Sequence, residues 1–297
     1  MLSFSSSAAG ALLLNALIWG LSWIGFKSLQ VQGMHPLWAT AFIFTCCTAV
    51  MVLARPGAWR EMWRHPELLY VALATGLTNV CFNIAMAFGD VVRVVLLFYL
   101  MPVWAVLLAR LILNEAITPR ALARIALGLG GAMIVLYRPE LGLPLPRSGA
   151  DWVAILGGLS FAFTNVMLRR LRGVPDGARA IAMFGGAALL AGVLAGVLLM
   201  LGWVVSLPAH FDAHIVSTLA LWTVLLLISN MCLQYGAARL PVNIIAVIML
   251  SEILVSALSS WWMGATHLGW QDMVGGLLIV AAPWVVRDLP TGKTLPS

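Results

Sequence analysis

The sequence predicts an all-α integral membrane protein with ten transmembrane helices arranged as two inverted five-helix repeats. Three observations lead there. Of 297 residues, 62% are hydrophobic and only 9% are charged, whereas a soluble domain is about 25% charged. Apolar stretches near the roughly 20 residues needed to cross a bilayer recur along the whole chain. Short motifs of the first half return, in the same order, in the second.

The spans are expected over 8–29, 36–54, 68–89, 91–113, 120–137, 150–168, 178–201, 216–237, 242–263 and 269–286, joined mostly by short turns. The first has no small-residue cleavage site behind it and runs to Lys27, so it reads as a retained helix and not as a signal peptide. The repeats divide at 148/149. "ALIWGLSW" opens one and "ILGGLSF" opens the other, so that Gly20–Trp23 is echoed by Gly158–Phe161. Segments 85–113 and 235–263 align at a constant offset, which sets Pro102 opposite Glu252 and carries Glu115 to Ala265. Asn79 and Asn83 lie one turn apart on the third span, as Asn230 and Gln234 do on the eighth. With five spans per repeat the second copy is upside down, a recurrent carrier architecture.

Lys and Arg concentrate in cytoplasmic loops. With the N-terminus inside, all 17 except Lys27, Arg93, Arg138 and Arg147 fall on the cytoplasmic side, which puts both termini there. These loops account for the net charge of +6. No basic stripe with interleaved aromatics suggests nucleic acid as a partner. Cys46, Cys47, Cys81 and Cys232 all lie within spans and read as small packing residues.

The stretch 85–136 runs from a helical hairpin through a central Pro102 to Asn114-Glu115, a Thr118-Pro119 turn and a helix with Gly128, Gly130 and Gly131. It resembles the first repeat of EamA-type carriers of the drug/metabolite transporter superfamily. The stretch 233–281, with Leu240-Pro241 and Gly275-Gly276, resembles the second repeat. It departs from the family in having Ser251-Glu252 where "EP" is usual and Gly264-Ala265 where "GE" is usual. The layout and the Trp/Tyr-rich early spans are most similar to the aromatic amino acid exporters. The resemblance implies a secondary or facilitative carrier of the cell inner membrane, working by alternating access. It also implies amino acids or related small metabolites as substrates, with protons as possible co-substrates.

The candidate site residues are those a bilayer tolerates badly. Glu252 sits about ten residues from either end of its span, too deep to snorkel, and intramembrane ionisable groups mark functional sites by default. It either lines an aqueous path and titrates during transport, or is protonated glue to a neighbouring helix. Ser256, Ser259 and Ser260 share its face and suit either a path or close packing. Pro102 frees the carbonyl of Phe98, an acceptor for an ammonium or a water, or else simply kinks the helix. Tyr99 and Trp104, and Trp19 and Trp23 beside Asn15 and Ser22, offer aromatic surface or core packing. Asn79, Asn83, Asn230, Gln234, Phe161, Thr164 and Asn165 extend the polar and aromatic pattern, and either contact substrate or bond between helices. For a zwitterion, Glu252 and the Phe98 carbonyl suit the ammonium and the amides suit the carboxylate.

Enzyme chemistry finds little support. His35, His65, His210, His214 and His267 all fall in loops or at span ends, so no embedded nucleophile–base pair or haem ligation is expected. His210 and His214 have i, i+4 metal spacing but lie in a loop. Gly292-Lys293-Thr294 lacks the upstream glycine of a phosphate loop. No cofactor or metal is expected; the rival class is an intramembrane lipid-modifying enzyme or a lipid scramblase.

Overall fold

A computed structural model describes residues 6–137, 145–204, 207–208, 210–264, 267 and 269–283. Arg138, Ala265, Arg287, Gly292-Lys293-Thr294 and the end of the tenth expected span lie outside the described residues. In chain order the helices are α1 (Ser6–Val31), α2 (Pro36–Ala54), α3 (Pro56–Arg64), α4 (Leu68–Phe88), α5 (Val91–Phe98), α6 (Met101–Leu113) and α7 (Pro119–Val135). After them come α8 (Gly149–Arg170), α9 (Asp176–Met200), α10 (Ala213–Ala237), α11 (Val242–Met249), α12 (Ser251–Trp262) and α13 (Trp270–Ala281). No strand occurs among the described residues.

Eight helices are long and apolar enough to cross a membrane, counting α5–α6 and α11–α12 each as one. The expected count of ten is therefore not met by length. Helix α7 has 17 residues: the Thr118 side chain caps Ala121 N–H at its start, and it ends at Val135, before the expected 137. Helix α13 has 12, and its expected span runs on past residue 283.

Two further differences have local causes. A short turn is expected between α2 and α4, but α3 forms there. Its Trp59, Met62 and Trp63 recur at helical spacing, with Arg60, Glu61 and Arg64 between them. Ala58 is buried at the N-terminus of α9, where a Cβ on Gly177 would meet it at 2.9 Å. The ninth span is interrupted at Leu250 with no proline present. There Leu250 N–H bonds Val247 O and Ile253 N–H bonds Leu250 O, three-residue closures that tighten the helix as hinges do. Ser251 Oγ takes the Ile248 carbonyl at 2.7 Å.

Helix starts are capped where the sequence supplies an acceptor. Asp90, Thr118, Ser148 and Asp212 cap α5, α7, α8 and α10, and at α2 the His35 Nδ1 accepts Leu37 N–H at 3.2 Å. Burial pushes the His35 ring below its ordinary pKa of 6.5. Above that value the ring is neutral folded and unfolded; as pH falls through it, the unfolded chain takes up the proton first and stability is lost. Thermal melts should therefore fall between pH 7 and 5, and His35→Asn, which keeps a capping acceptor, should flatten that slope. An unchanged slope in the variant would assign the acid sensitivity elsewhere.

The packing interleaves the two halves. Helix α1 lies on α10 and α12, and α8 lies on α4, α5 and α6; α2 pairs with α9, and α7 with α13. One core cluster draws on α1, α4, α6, α8, α10 and α11 together, so neither half buries its own apolar surface alone. Close crossings rest on glycine. A Cβ on Gly275 would stand 2.5 Å from Gly131 O, and one on Gly131 would stand 2.6 Å from Gly275 O. At the α4–α9 crossing a Cβ on Gly186 would overlap the Ala72 backbone. Between α1 and α10, the buried Asn15 amide donates to Ser229 O and Oγ at 2.8 and 2.7 Å.

Candidate functional site

The two interrupted spans meet. Pro102 sits in the first turn of α6 and has no N–H to return to Phe98; Glu252 sits in the first turn of α12. Tyr99, at the first break, is buried at 7% exposure, and its hydroxyl lies close to the Glu252 carboxyl. Glu252 is thus at a helix N-terminus within the protein, where unpaired N–H groups and the helix dipole favour negative charge. It is enclosed by protein yet retains some accessible surface, as a group bordering an internal space does.

The Phe98 carbonyl freed by Pro102 does not face that space. It lies against Gly158 of α8, whose missing side chain makes room for it. The Phe98 ring instead gathers aromatic surface, 5.1 Å from Phe82, 5.8 Å from Tyr99 and 6.2 Å from Phe161. Trp104 packs on the same core with its Nε1 unpartnered. Trp19 belongs to a different cluster, around Ile18, Phe44 and Trp222.

Most of the amides are bonded within their own helices. Asn79, Asn83, Asn165 and Asn230 each donate Nδ2 to the carbonyl four residues back, at 2.8–3.1 Å. This back-bonding is a local option for such residues; it uses one of the two Nδ2 hydrogens and leaves the second and the carbonyl oxygen for another partner. The Asn165 Oδ1 is buried and unpartnered, as are both amide atoms of Gln234, which is 1% exposed. Amides of this kind can meet an ammonium through their oxygens or a carboxylate through the N–H that remains, and Gln234 and Trp104 keep donors as well.

Several candidates are engaged in packing. Ser256 Oγ donates to Gly20 O at 2.9 Å and Trp23 Nε1 to Ser259 Oγ at 3.0 Å, tying α12 to α1. Thr164 Oγ1 returns to Ser160 O at 3.0 Å.

One element of the arrangement escaped sequence reasoning. Asn114 ends α6 in the left-handed region at φ 55°, a conformation Asn tolerates better than most residues. The chain then turns Glu115 onto Arg169 at the end of α8, Nε to Oε1 2.7 Å, and Arg169 Nη1 also reaches Leu240 O at 2.7 Å. Three elements from both halves are thereby tied at one end of the bundle. Gly264, in the matching position of the second half, is also left-handed at φ 72°, but alanine follows it where Glu115 follows Asn114. Only the spacing of Asn114-Glu115 hinted at this tie; its partners lie far along the chain.

No protein of curated function matches the sequence. A solved crystal structure superposes on 94% of this chain and 96% of its own, with a TM-score of 0.74 at 21% identity. The architecture is therefore shared with a known fold at low sequence similarity. Residues 6–137 match the EamA-like transporter family, a family of membrane carriers.

Proposed function

We propose that the whole chain is a carrier of the drug/metabolite transporter superfamily, built as an inverted repeat of five plus five transmembrane segments. It exports amine-bearing small metabolites, amino acids with aromatic side chains among them, across the inner membrane by alternating access. The observation that carries this reading is the Tyr99–Glu252 contact at the meeting of two interrupted spans, one from each half. Interrupted helices at mid-membrane recur as carrier binding sites. The aromatic surface of Phe82, Phe98 and Phe161 lies beside it.

The repeat reading is supported by register and packing. The interruptions fall at Tyr99–Leu100 and at Leu250, close to the offset that aligns the two halves. Exchanging α1 with α8, α2 with α9, α4 with α10, α5–α6 with α11–α12 and α7 with α13 leaves the main packing pairs unchanged. Ala58 of α3 adjoins Gly177 of α9, consistent with residues 60 and 172 sharing one membrane side. Cysteine labelling should find both in the cytoplasm with the termini, and residues 145 and 210 outside.

Counterflow in reconstituted liposomes tests the activity. Vesicles loaded with phenylalanine should accumulate labelled phenylalanine from outside, with a rate that changes when a pH gradient is imposed. Failure across a panel of amino acids and their decarboxylated amines would end this substrate assignment.

A further inference from the structure

The ends of α1, α10 and α12 remote from the Arg169 tie border an open pocket of about 570 Å³, whose lining includes Trp23, Lys27, Gln32, Asp212, His214 and Met263. The 25 residues of α10 separate it from Leu240 at the tie, about 37 Å along a helix. We propose that this pocket is a second substrate site, distinct from the Tyr99–Glu252 centre, that binds apolar carboxylates and zwitterions at the far mouth of the carrier. The assignment rests on the carrier reading above and adds a place where substrate pauses after leaving the centre.

Lys27 carries the argument. Among the described residues it forms no ion pair, and its ammonium stands 5.9 Å from the centroid of the Trp23 ring. That ring is fixed by its own bond to Ser259. Lys27 is exposed to the pocket, so an incoming carboxylate can reach it and form a charge-assisted hydrogen bond. Asp212 does not neutralise Lys27. Its Oδ1 caps α10 through Ile215 N–H at 2.8 Å, and the second oxygen is left for an ammonium. His214 Nδ1 is held by Gln32 at 3.1 Å and Thr218 at 3.2 Å, so its Nε2 is the ring nitrogen left over. Opposite charges with apolar lining between them match an amino acid bearing a hydrophobic side chain, and the volume falls in the range of small-molecule sites.

Equilibrium dialysis of the detergent-solubilised full chain against L-phenylalanine, phenylacetate and phenethylamine tests this without a membrane gradient. Wild type should bind all three. Lys27→Met should weaken phenylacetate and phenylalanine at least about tenfold, the scale of one charge-assisted contact, while Lys27→Arg restores both. Asp212→Asn, which keeps the cap, should weaken phenethylamine and phenylalanine and spare phenylacetate. Phenylacetate binding that is absent in wild type, or unchanged in Lys27→Met, overturns the proposal. Either result leaves the counterflow outcome standing, so the two readings fail separately.

Discussion

Glu252→Gln is expected to slow counterflow of an amine-bearing substrate at least about tenfold and to flatten its response to a pH gradient, with folding and membrane delivery intact. The substitution keeps the shape beside Tyr99 but removes the charge that an ammonium meets. Charge-assisted bonds contribute about 1.5–3 kcal/mol, and each 1.4 kcal/mol is about tenfold. Tyr99→Phe keeps the carboxyl and removes only the hydroxyl beside it, so a smaller loss with pH dependence preserved is expected. If Glu252→Gln exchanges substrate at the wild-type rate and with the same pH response, the carboxyl is glue between α6 and α12 and the proposed site is wrong.

Gly186→Val should be the most damaging single change to the fold. A side chain there overlaps the Ala72 backbone, and backbone cannot swing aside as a flexible side chain does. The α4–α9 crossing must open, so the penalty should reach or exceed the roughly 1–3 kcal/mol typical of overpacking. Gly196→Ala is the control. Nothing lies within 4 Å of a Cβ there, and replacing a helical glycine stabilises by about 0.5–1 kcal/mol. A shared melting temperature for Gly186→Val and wild type would mean the crossing is looser than the packing implies.

Much of this architecture is legible in the sequence, since spans are read from apolar length and the likeness of the two halves from motifs that recur in a common register. Glu252 and Tyr99 both stand out because ionisable and phenolic groups are conspicuous among leucines. Their contact does not, because periodicity places residues on a face without saying which helix that face meets. The same limit hides the tie of Arg169 to Glu115, 54 positions apart. Asn79 and Asn230 each give one N–H to the preceding turn, which spacing alone does not show. Ser256 looks like part of a path until its bond to Gly20 is seen. The break at Leu250 has no proline to announce it, and α3 is only nine residues long, too short for its alternating Trp and Arg to register as a helix.

The bond between Asn15 and Ser229 has a consequence in time. The ribosome makes the two residues 214 positions apart, and at about 5–20 residues per second α1 waits roughly 10–40 s for its partner. Through that interval its amide faces hydrocarbon unpaired, at a cost of a few kcal/mol. The newborn helix therefore enters the bilayer without the bonds that only α10 can supply.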